Sequence, residues 1–336
     1  MEEYMNILVD GMGGDNAPAE IIKGVLAAAP KVDGKITVIG REDAIRECLS
    51  RSDVRYDNIF VVDAKEIIEN DEAPAMAVRR KKDSSVVKGM TMLREGEADA
   101  FISAGSTGAL LAAGLLNLGR IKGIKRPAIA ALYPKVGKKG TTLLLDCGAS
   151  VDAKPQYLVQ YAIMGSIFCE KVKGIKDPSV MLLNVGAEDA KGDDLRKEAF
   201  EALKNTPINF AGNIEARDVP AGDCDVVVTD GFSGNVFLKA SEGVASMIMH
   251  VIKDKLKEGF ISKIGAAMML PKFRELKKSF DYSDSGAAPI LGLKGAVFKM
   301  HGSSKADAVY NAILKSIPYI ENDVTGIIEQ AIKDYG

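Results

Sequence analysis

Short apolar runs alternate with polar clusters along this chain, and after each cluster comes a segment in which apolar residues recur every three or four positions. The first kind of run suits a strand buried in a sheet and the second a helix lying on it. Repetition of the pair through the first 250 residues predicts βαβ units and a mostly parallel sheet. Five units are clearest: Asn6–Asp10 before Gly11–Pro18, Ala100–Ser103 before Ala104–Gly108, Thr142–Asp146 before Cys147–Ser150, Val180–Leu183 before Asn184–Asp189, and Val226–Thr229 before Asp230–Asn235. Each places a polar loop at the carboxyl end of a strand. In open parallel sheets those ends line the ligand crevice, and the helices starting there offer unpaired N–H groups to an anion. An anionic ligand is expected.

From about Ala240 the pattern changes to a long helical stretch, Ser241 to Glu258, an apolar turn from Gly259 to Pro271, and a second basic helix through Lys278. This reads as a protruding helical hairpin over about 241–280, a subdomain of a single α/β domain spanning 1–336. Between His250 and Phe280 eight Lys/Arg face three Asp/Glu, a surplus of five positive charges on a chain whose net charge is −2. A basic, Met-rich amphipathic element suits a membrane surface or an acidic partner, and equally a helical pair whose tip packs on a second subunit. Phe101 to Gly119 carries no charge and has the length of a spanning helix, but its first half is Ser103, Gly105, Ser106, Thr107 and Gly108. A loop followed by a buried helix is expected there. After Ser283 come two more Gly-rich loops, Ser285–Pro289 and His301–Ser304, and a closing amphipathic helix.

Composition narrows the chemistry. With 336 residues, 47% hydrophobic and 27% charged, the chain is long enough for a large core and far from any disordered or fibrous class. Cys48, Cys147, Cys169 and Cys224 lie too far apart for a zinc cluster or a redox dithiol pair, which fits a reducing cytoplasm. The acidic start, Met1-Glu-Glu-Tyr4, lacks the basic and apolar regions of a signal peptide. Only His250 and His301 are available to any chemistry needing an imidazole.

Gly11-x-Gly13-x-x-Asn16 lacks the third glycine of a dinucleotide fingerprint, and no Walker lysine follows Gly105-Ser-Thr-Gly108. Asp71 to Lys82 reads as a helix with proline near its start and Arg79 to Lys82 toward its end, either a solvated face or a docking patch for phosphate or an acidic partner. Cys147 follows a strand with no histidine near it in sequence, which favours a buried structural thiol over a nucleophile.

Together these stretches resemble the bacterial phosphate acyltransferase family, the acyl carrier protein:phosphate transacylases of phospholipid synthesis. The resemblance runs nearly end to end, through Val9-Asp-Gly-Met-Gly-Gly-Asp-Asn-Ala-Pro18, Val78-Arg-Arg-Lys-Lys-Asp-Ser-Ser85, Ile102-Ser-Ala-Gly-Ser-Thr-Gly-Ala-Leu110, Val151-Asp-Ala-Lys-Pro155, Leu183-Asn-Val-Gly186, Val228-Thr-Asp-Gly-Phe-Ser-Gly-Asn235 and His301-Gly-Ser-Ser304. It implies a Rossmann-like α/β fold with helices on both faces of the sheet, a homodimer, no cofactor and no metal. The implied reaction moves a long-chain acyl group from acyl carrier protein to inorganic phosphate, giving acyl phosphate.

Such a reaction is compatible with the scarcity of histidine. Phosphate is already an anionic oxygen nucleophile, and the leaving thiol has a pKa near that of cysteine, about 8.5. What the reaction needs is an anion site and donors aimed at the developing oxyanion. The resemblance assigns Lys191 as a cationic donor and Asn235 as a neutral one, expected to face a common cavity. Asp10, Gly13, Gly14, Asn16, Ser106, Thr107, Gly108, Asp230, Ser233, Gly234, His301 and Ser303 are expected to bind substrate. On the hairpin, Phe260, Ile261, Ile264, Met268, Met269 and Leu270 are expected to contact the membrane, where the product passes to a membrane glycerol-phosphate acyltransferase. The expected place is therefore the cytoplasm, peripherally attached to the inner face of the cell membrane, with no nucleic-acid partner. Two enzyme readings compete, a phosphotransacetylase acting on acyl-coenzyme A and a metal-dependent 3-hydroxyacid dehydrogenase that would bind a nicotinamide. A silent scaffold recruiting lipid-synthesis partners is the third.

Overall fold

A computed structural model describes residues 4–52, 54, 56–136, 140–257, 269, 272 and 286–335. Among these residues eleven strands form one continuous sheet: β1 (Met5–Asp10), β2 (Gly34–Gly40), β3 (Ile59–Asp63), β4 (Ala100–Ser103), β5 (Ala128–Pro134), β6 (Thr141–Leu145), β7 (Val180–Asn184), β8 (Phe210–Glu215), β9 (Val226–Val228), β10 (Ala288–Leu291) and β11 (Ala296–Lys299). Their order is β3-β2-β1-β4-β11-β10-β5-β6-β9-β7-β8. The five strands read from the sequence are β1, β4, β6, β7 and β9, each in place to within a residue or two.

The two outer blocks are parallel, β3 to β11 on one side and β6 to β8 on the other. Between them three successive ladders are antiparallel. β10 makes the join. Its first two residues, Ala288 and Pro289, pair with β11, and its last two, Ile290 and Leu291, pair with β5. The carboxyl end of β11 lies beside the start of β10, and that of β6 beside the start of β5. Register sets Ala130, the partner of Leu145, level with Pro289, one residue from the Ala288–Lys299 pair, so these two ends lie only about 3.3 Å apart along the strand. Although the two blocks run in opposite senses, their strand ends therefore meet over the middle of the sheet.

Helices cover both faces, as side-chain parity within the strands requires. Ile7, Val9, Ile102, Leu143, Leu145, Val226 and Val228 point to one core, which is closed by α1 (Ala19–Ala28), α6 (Pro155–Lys173), α7 (Asp194–Lys204), α9 (Ala306–Glu321) and α10 (Val324–Tyr335). Leu8, Phe101, Leu144 and Val227 point to the other, closed by α3 (Pro74–Arg80), α4 (Ser85–Arg94) and α5 (Thr107–Ala113). The remaining helix on the first block, α2 (Glu42–Ser50), buries Ile45 beneath it. The closing amphipathic pattern is thus two helices, α9 and α10.

The uncharged stretch from Phe101 to Gly119 divides into β4, a turn, α5 and a π turn at Gly114–Leu118. Among the described residues no helix is long and apolar enough to cross a membrane. The long helix α8 spans Gly231–Lys257, beginning ten residues before the expected Ser241. The tip residues Phe260, Ile261, Ile264, Met268 and Leu270 lie outside the described residues, and Met269 is helical and exposed.

Candidate active site

A cavity of about 900 Å³ opens above the central strands. Its lining comes from the loops after β4 (Thr107, Gly108), β6 (Cys147, Gly148), β9 (Asn235) and β11 (His301, Gly302, Ser303), with Ile129, Ala131 and Leu132 of β5 as an apolar flank. Leu111 of α5 and Leu238, Ala245 and Met249 of α8 add further apolar surface. The α8 residues recur at helical spacing over fourteen positions, so one face of that helix follows the cavity for about 20 Å.

The first loop supports this cavity from behind. Asp10 is buried at the end of β1, where its Oδ1 accepts from Met12 N (3.0 Å) and Gly13 N (3.1 Å) and its Oδ2 from Ser103 Oγ (2.6 Å). Ser103 Oγ in turn accepts from Gly105 N at 3.0 Å, so one carboxylate sets the turns after β1 and β4 together. Gly13 packs against Gly105, where any Cβ would overlap the backbone, and Gly14 adopts φ +96° beside the Gly302 carbonyl. Asn16 donates from Nδ2 to Ser303 O (3.1 Å) and Ser304 O (3.3 Å). Asp10, Gly13, Gly14 and Asn16 therefore shape the loops that line the cavity and do not themselves line it. Ser106 caps α5 by accepting from Ala109 N, while Thr107, Gly108, His301 and Ser303 face the cavity. His301 Nδ1 lies 2.8 Å from Ser303 Oγ, which holds the ring against its own turn.

A second buried carboxylate organises the other block. Asp146 accepts from Ile129 N, Gly148 N, Ala149 N and Ser150 N at 2.8 to 3.1 Å, fixing the turn after β6 against β5. Burial pushes its pKa up from 3.8 to about 6, against the lowering effect of those four bonds. Gly234 passes so close to the Asp146 carbonyl that a Cβ would overlap it. This contact brings the start of α8 down onto the turn, and Asn235 beside it packs over Gly148. The Asn235 amide lines the cavity with no hydrogen-bond partner among the described residues. Cys147 also lines it, but burial pushes the thiol far up and its Sγ donates to Leu144 O, as a structural cysteine would.

Asp230 and Ser233 lie on the far side of the α8 start. Asp230 Oδ1 accepts from Ser233 N at 2.9 Å, and Arg196 of α7 binds both side chains. With Val151, Asp152, Ala153, Leu195 and Phe232 they line a second, shallower concavity of about 340 Å³. Lys191 is exposed on the loop between β7 and α7, with its methylenes against Gly186 and its carbonyl accepting from Asn184 Nδ2 at 3.0 Å. The expectation that Lys191 and Asn235 face one cavity is corrected within a single chain: β7 is two strands from β6, and its loop lies beyond the large cavity. Asn235 lines that cavity and Lys191 does not.

Sequence reasoning missed three charged side chains in the lining, Lys239, Glu242 and Lys299. Lys299 had a signal, a lysine ending the apolar run Ala296-Val-Phe two residues before His301.

A family model described as "Fatty acid synthesis protein" matches residues 5–326. The chain is 50% identical over 331 residues to a phosphate acyltransferase of Brevibacillus brevis, covering 98% of each chain. It is 49% identical over 330 residues to one of Geobacillus sp., covering 98% of this chain and 99% of that one. Among solved structures a phosphotransacetylase from Streptococcus pyogenes superposes with a TM-score of 0.64 at 17% identity, over 99% of this chain and 95% of that one, a likeness of fold. A putative 4-hydroxythreonine-4-phosphate dehydrogenase from Salmonella typhimurium shares the fold more distantly, with a TM-score of 0.54 at 14% identity over 94% of this chain and 99% of that one. With nearly end-to-end identity of this order, the chain belongs to the phosphate acyltransferase family, enzymes of fatty acid and phospholipid synthesis.

Proposed function

We propose that this enzyme moves a long-chain fatty acyl group from acyl carrier protein to inorganic phosphate and releases acyl phosphate. The observation that carries the reading is the lining of the large cavity, where Leu111, Ile129, Leu132, Leu238 and Met249 offer apolar surface beside the polar Asn235, Lys299 and His301. A phosphate oxygen attacks the thioester carbonyl carbon; the C–O bond forms as the C–S bond breaks, and the thiolate leaves with the electron pair and takes a proton from solvent. Asn235 donates from its free amide to the oxyanion that develops between these events. Lys191 lies outside this cavity within one chain, and its cation is proposed to act from the exposed loop that Arg196, five residues further on, ties to the α8 start. No step requires a histidine base.

The proposed partners follow from surface chemistry. Along α8, Phe232, Val236, Val244, Met247, Ile248 and Val251 form an exposed apolar stripe on the face turned away from the cavity. A second copy of the chain is the proposed cover, giving a homodimer. The basic, Met-rich tip is proposed to lie on the cytoplasmic membrane surface, where the product passes to a glycerol-phosphate acyltransferase.

The decisive assay is phosphate-dependent consumption of palmitoyl-acyl carrier protein with detection of palmitoyl phosphate. Turnover of short acyl-coenzyme A in preference to the carrier-bound thioester would replace this reading with a phosphotransacetylase. Thioester loss unaffected by phosphate would leave a scaffold.

A further inference from the structure

Among the described residues two lysines line the large cavity, and they differ in one respect. Lys239 is paired with Glu242 at 2.7 Å, so its charge is already met. Lys299 has no carboxylate within ion-pair distance among the described residues. It ends β11 half-buried, and its Nζ donates to two carbonyl oxygens, those of Met300 and of Ala104, the latter at 3.4 Å. The nearest anionic influence is Asp10, whose oxygens are committed to Met12 N, Gly13 N and Ser103 Oγ. A cation removed from water without a counter-ion is costly, and such sites are stabilised when an anion arrives.

Position adds to charge. Lys299 stands opposite Ser103 in the β11–β4 ladder and opposite Ala288 in the β10–β11 ladder, at the end of the strand that leads directly into the His301–Ser303 turn. It is thus held by two strands at the point where both sheet blocks face the cavity.

We infer that Lys299 is the residue that receives inorganic phosphate, binding the dianion in the cavity that Asn235 also lines. This assignment rests on the acyl-transfer reading above and gives its nucleophile a location. Lys299 stays protonated throughout and serves as a charged donor.

Protonation state is therefore part of the assignment. Burial draws the Lys299 pKa down from 10.5 to about 8; Asp10 and Asp15 oppose that shift and Lys239 reinforces it, while Glu242 and His301 also face the cavity. Phosphate binding by the free enzyme should weaken as pH rises through about 8, because the receiving charge is lost. An arginine stays charged over that range.

The test compares wild type, Lys299→Met and Lys299→Arg in initial-rate assays with phosphate varied at fixed palmitoyl-acyl carrier protein. Lys299→Met should raise the KM for phosphate by about 10- to 100-fold, as loss of a charge-assisted hydrogen bond does, and leave the KM for the thioester unchanged. Lys299→Arg should recover part of the affinity and move the alkaline limb of kcat/KM for phosphate upward by at least about one pH unit. An unchanged phosphate KM in Lys299→Met overturns the assignment. So does a fall in kcat alone, which would place the cation on the oxyanion. If the methionine variant does not fold, an alkaline limb that stays in place in Lys299→Arg overturns it equally. Calorimetric titration with inorganic phosphate separates this inference from the wider one. Should wild type make no acyl phosphate, phosphate binding that is lost in Lys299→Met still supports the site, and equal binding by both proteins removes it.

Discussion

Asp146 and Asp10 do the same job in the two sheet blocks, each tying two segments together, Asp146 through four backbone N–H groups and Asp10 through two N–H groups and the Ser103 hydroxyl. A sequence shows an aspartate at a strand end but not how many donors converge on it, so neither role was legible in advance. For Asp146 the cost of burial has a measurable sign. Its folded pKa, about 6, lies above the 3.8 of the unfolded chain, so the folded state holds the proton more tightly. The stability this contributes is fully present below pH about 4 and is lost as pH rises through about 6. The stability of wild type relative to Asp146→Asn should therefore fall by about 2 kcal/mol between pH 4 and pH 7 in urea titrations, as a shift of this size implies. A flat difference would mean that the carboxyl is ionised in both states throughout. At the site, Asn235→Ala should keep the circular dichroism of wild type and lower turnover by roughly 10²- to 10³-fold; Lys191→Ala should lower it less, because that side chain does not line the cavity. Undiminished acyl phosphate formation in either variant removes that side chain from the mechanism. Asn235 was assigned by resemblance, and it falls in the cavity lining. Lys191 was placed by resemblance, and its separation from the cavity depends on strand order, which residue patterns do not encode.

At the scale of elements, α8 shows how much of the architecture periodicity reveals. Its apolar residues were visible, but the start was read ten residues late because Gly231, Ser233 and Gly234 resemble a turn. Those small residues are needed at a helix start pressed against Asp146 and Ser150. Over its 27 residues, about 40 Å, the helix carries apolar side chains on two faces, one along the cavity and one exposed. A helix apolar on both faces is normally covered on both. Met247→Glu combined with Ile248→Glu should convert a dimer to a monomer in light scattering at micromolar concentration. A dimer that persists would place the subunit contact elsewhere. The five strands with polar loops were legible from their runs of Val, Leu and Ile; β10 and β11 were not, being four residues each, and β5 was not because β6 follows it without an intervening helix.

For the whole molecule, charge and topology divide the work. The His250–Phe280 segment carries a surplus of five positive charges, so the remainder of the chain is about −7, and the two regions should respond differently to an anionic surface. Vesicles containing about 30% anionic lipid should carry wild type upward in a flotation gradient and leave Met268→Glu/Met269→Glu at the bottom. Equal flotation of both proteins would assign the tip to subunit packing. Fold class was legible because alternation of strand and helix signals is a whole-chain property. The reversal between the two sheet blocks was not, since it is decided by a strand of four residues near the carboxyl terminus.

That strand is also a ruler. β10 gives two residues to each neighbour, so it sets how far apart the β11 and β6 loops stand. Adding two residues to it would move the loops apart by about 7 Å while keeping every side chain on its present face. The spacing between Lys299 and Asn235 is thus written into main-chain length, where no substitution of a side chain can adjust it, and relatives that handle bulkier acceptors would be expected to differ in the length of this segment before they differ in its composition.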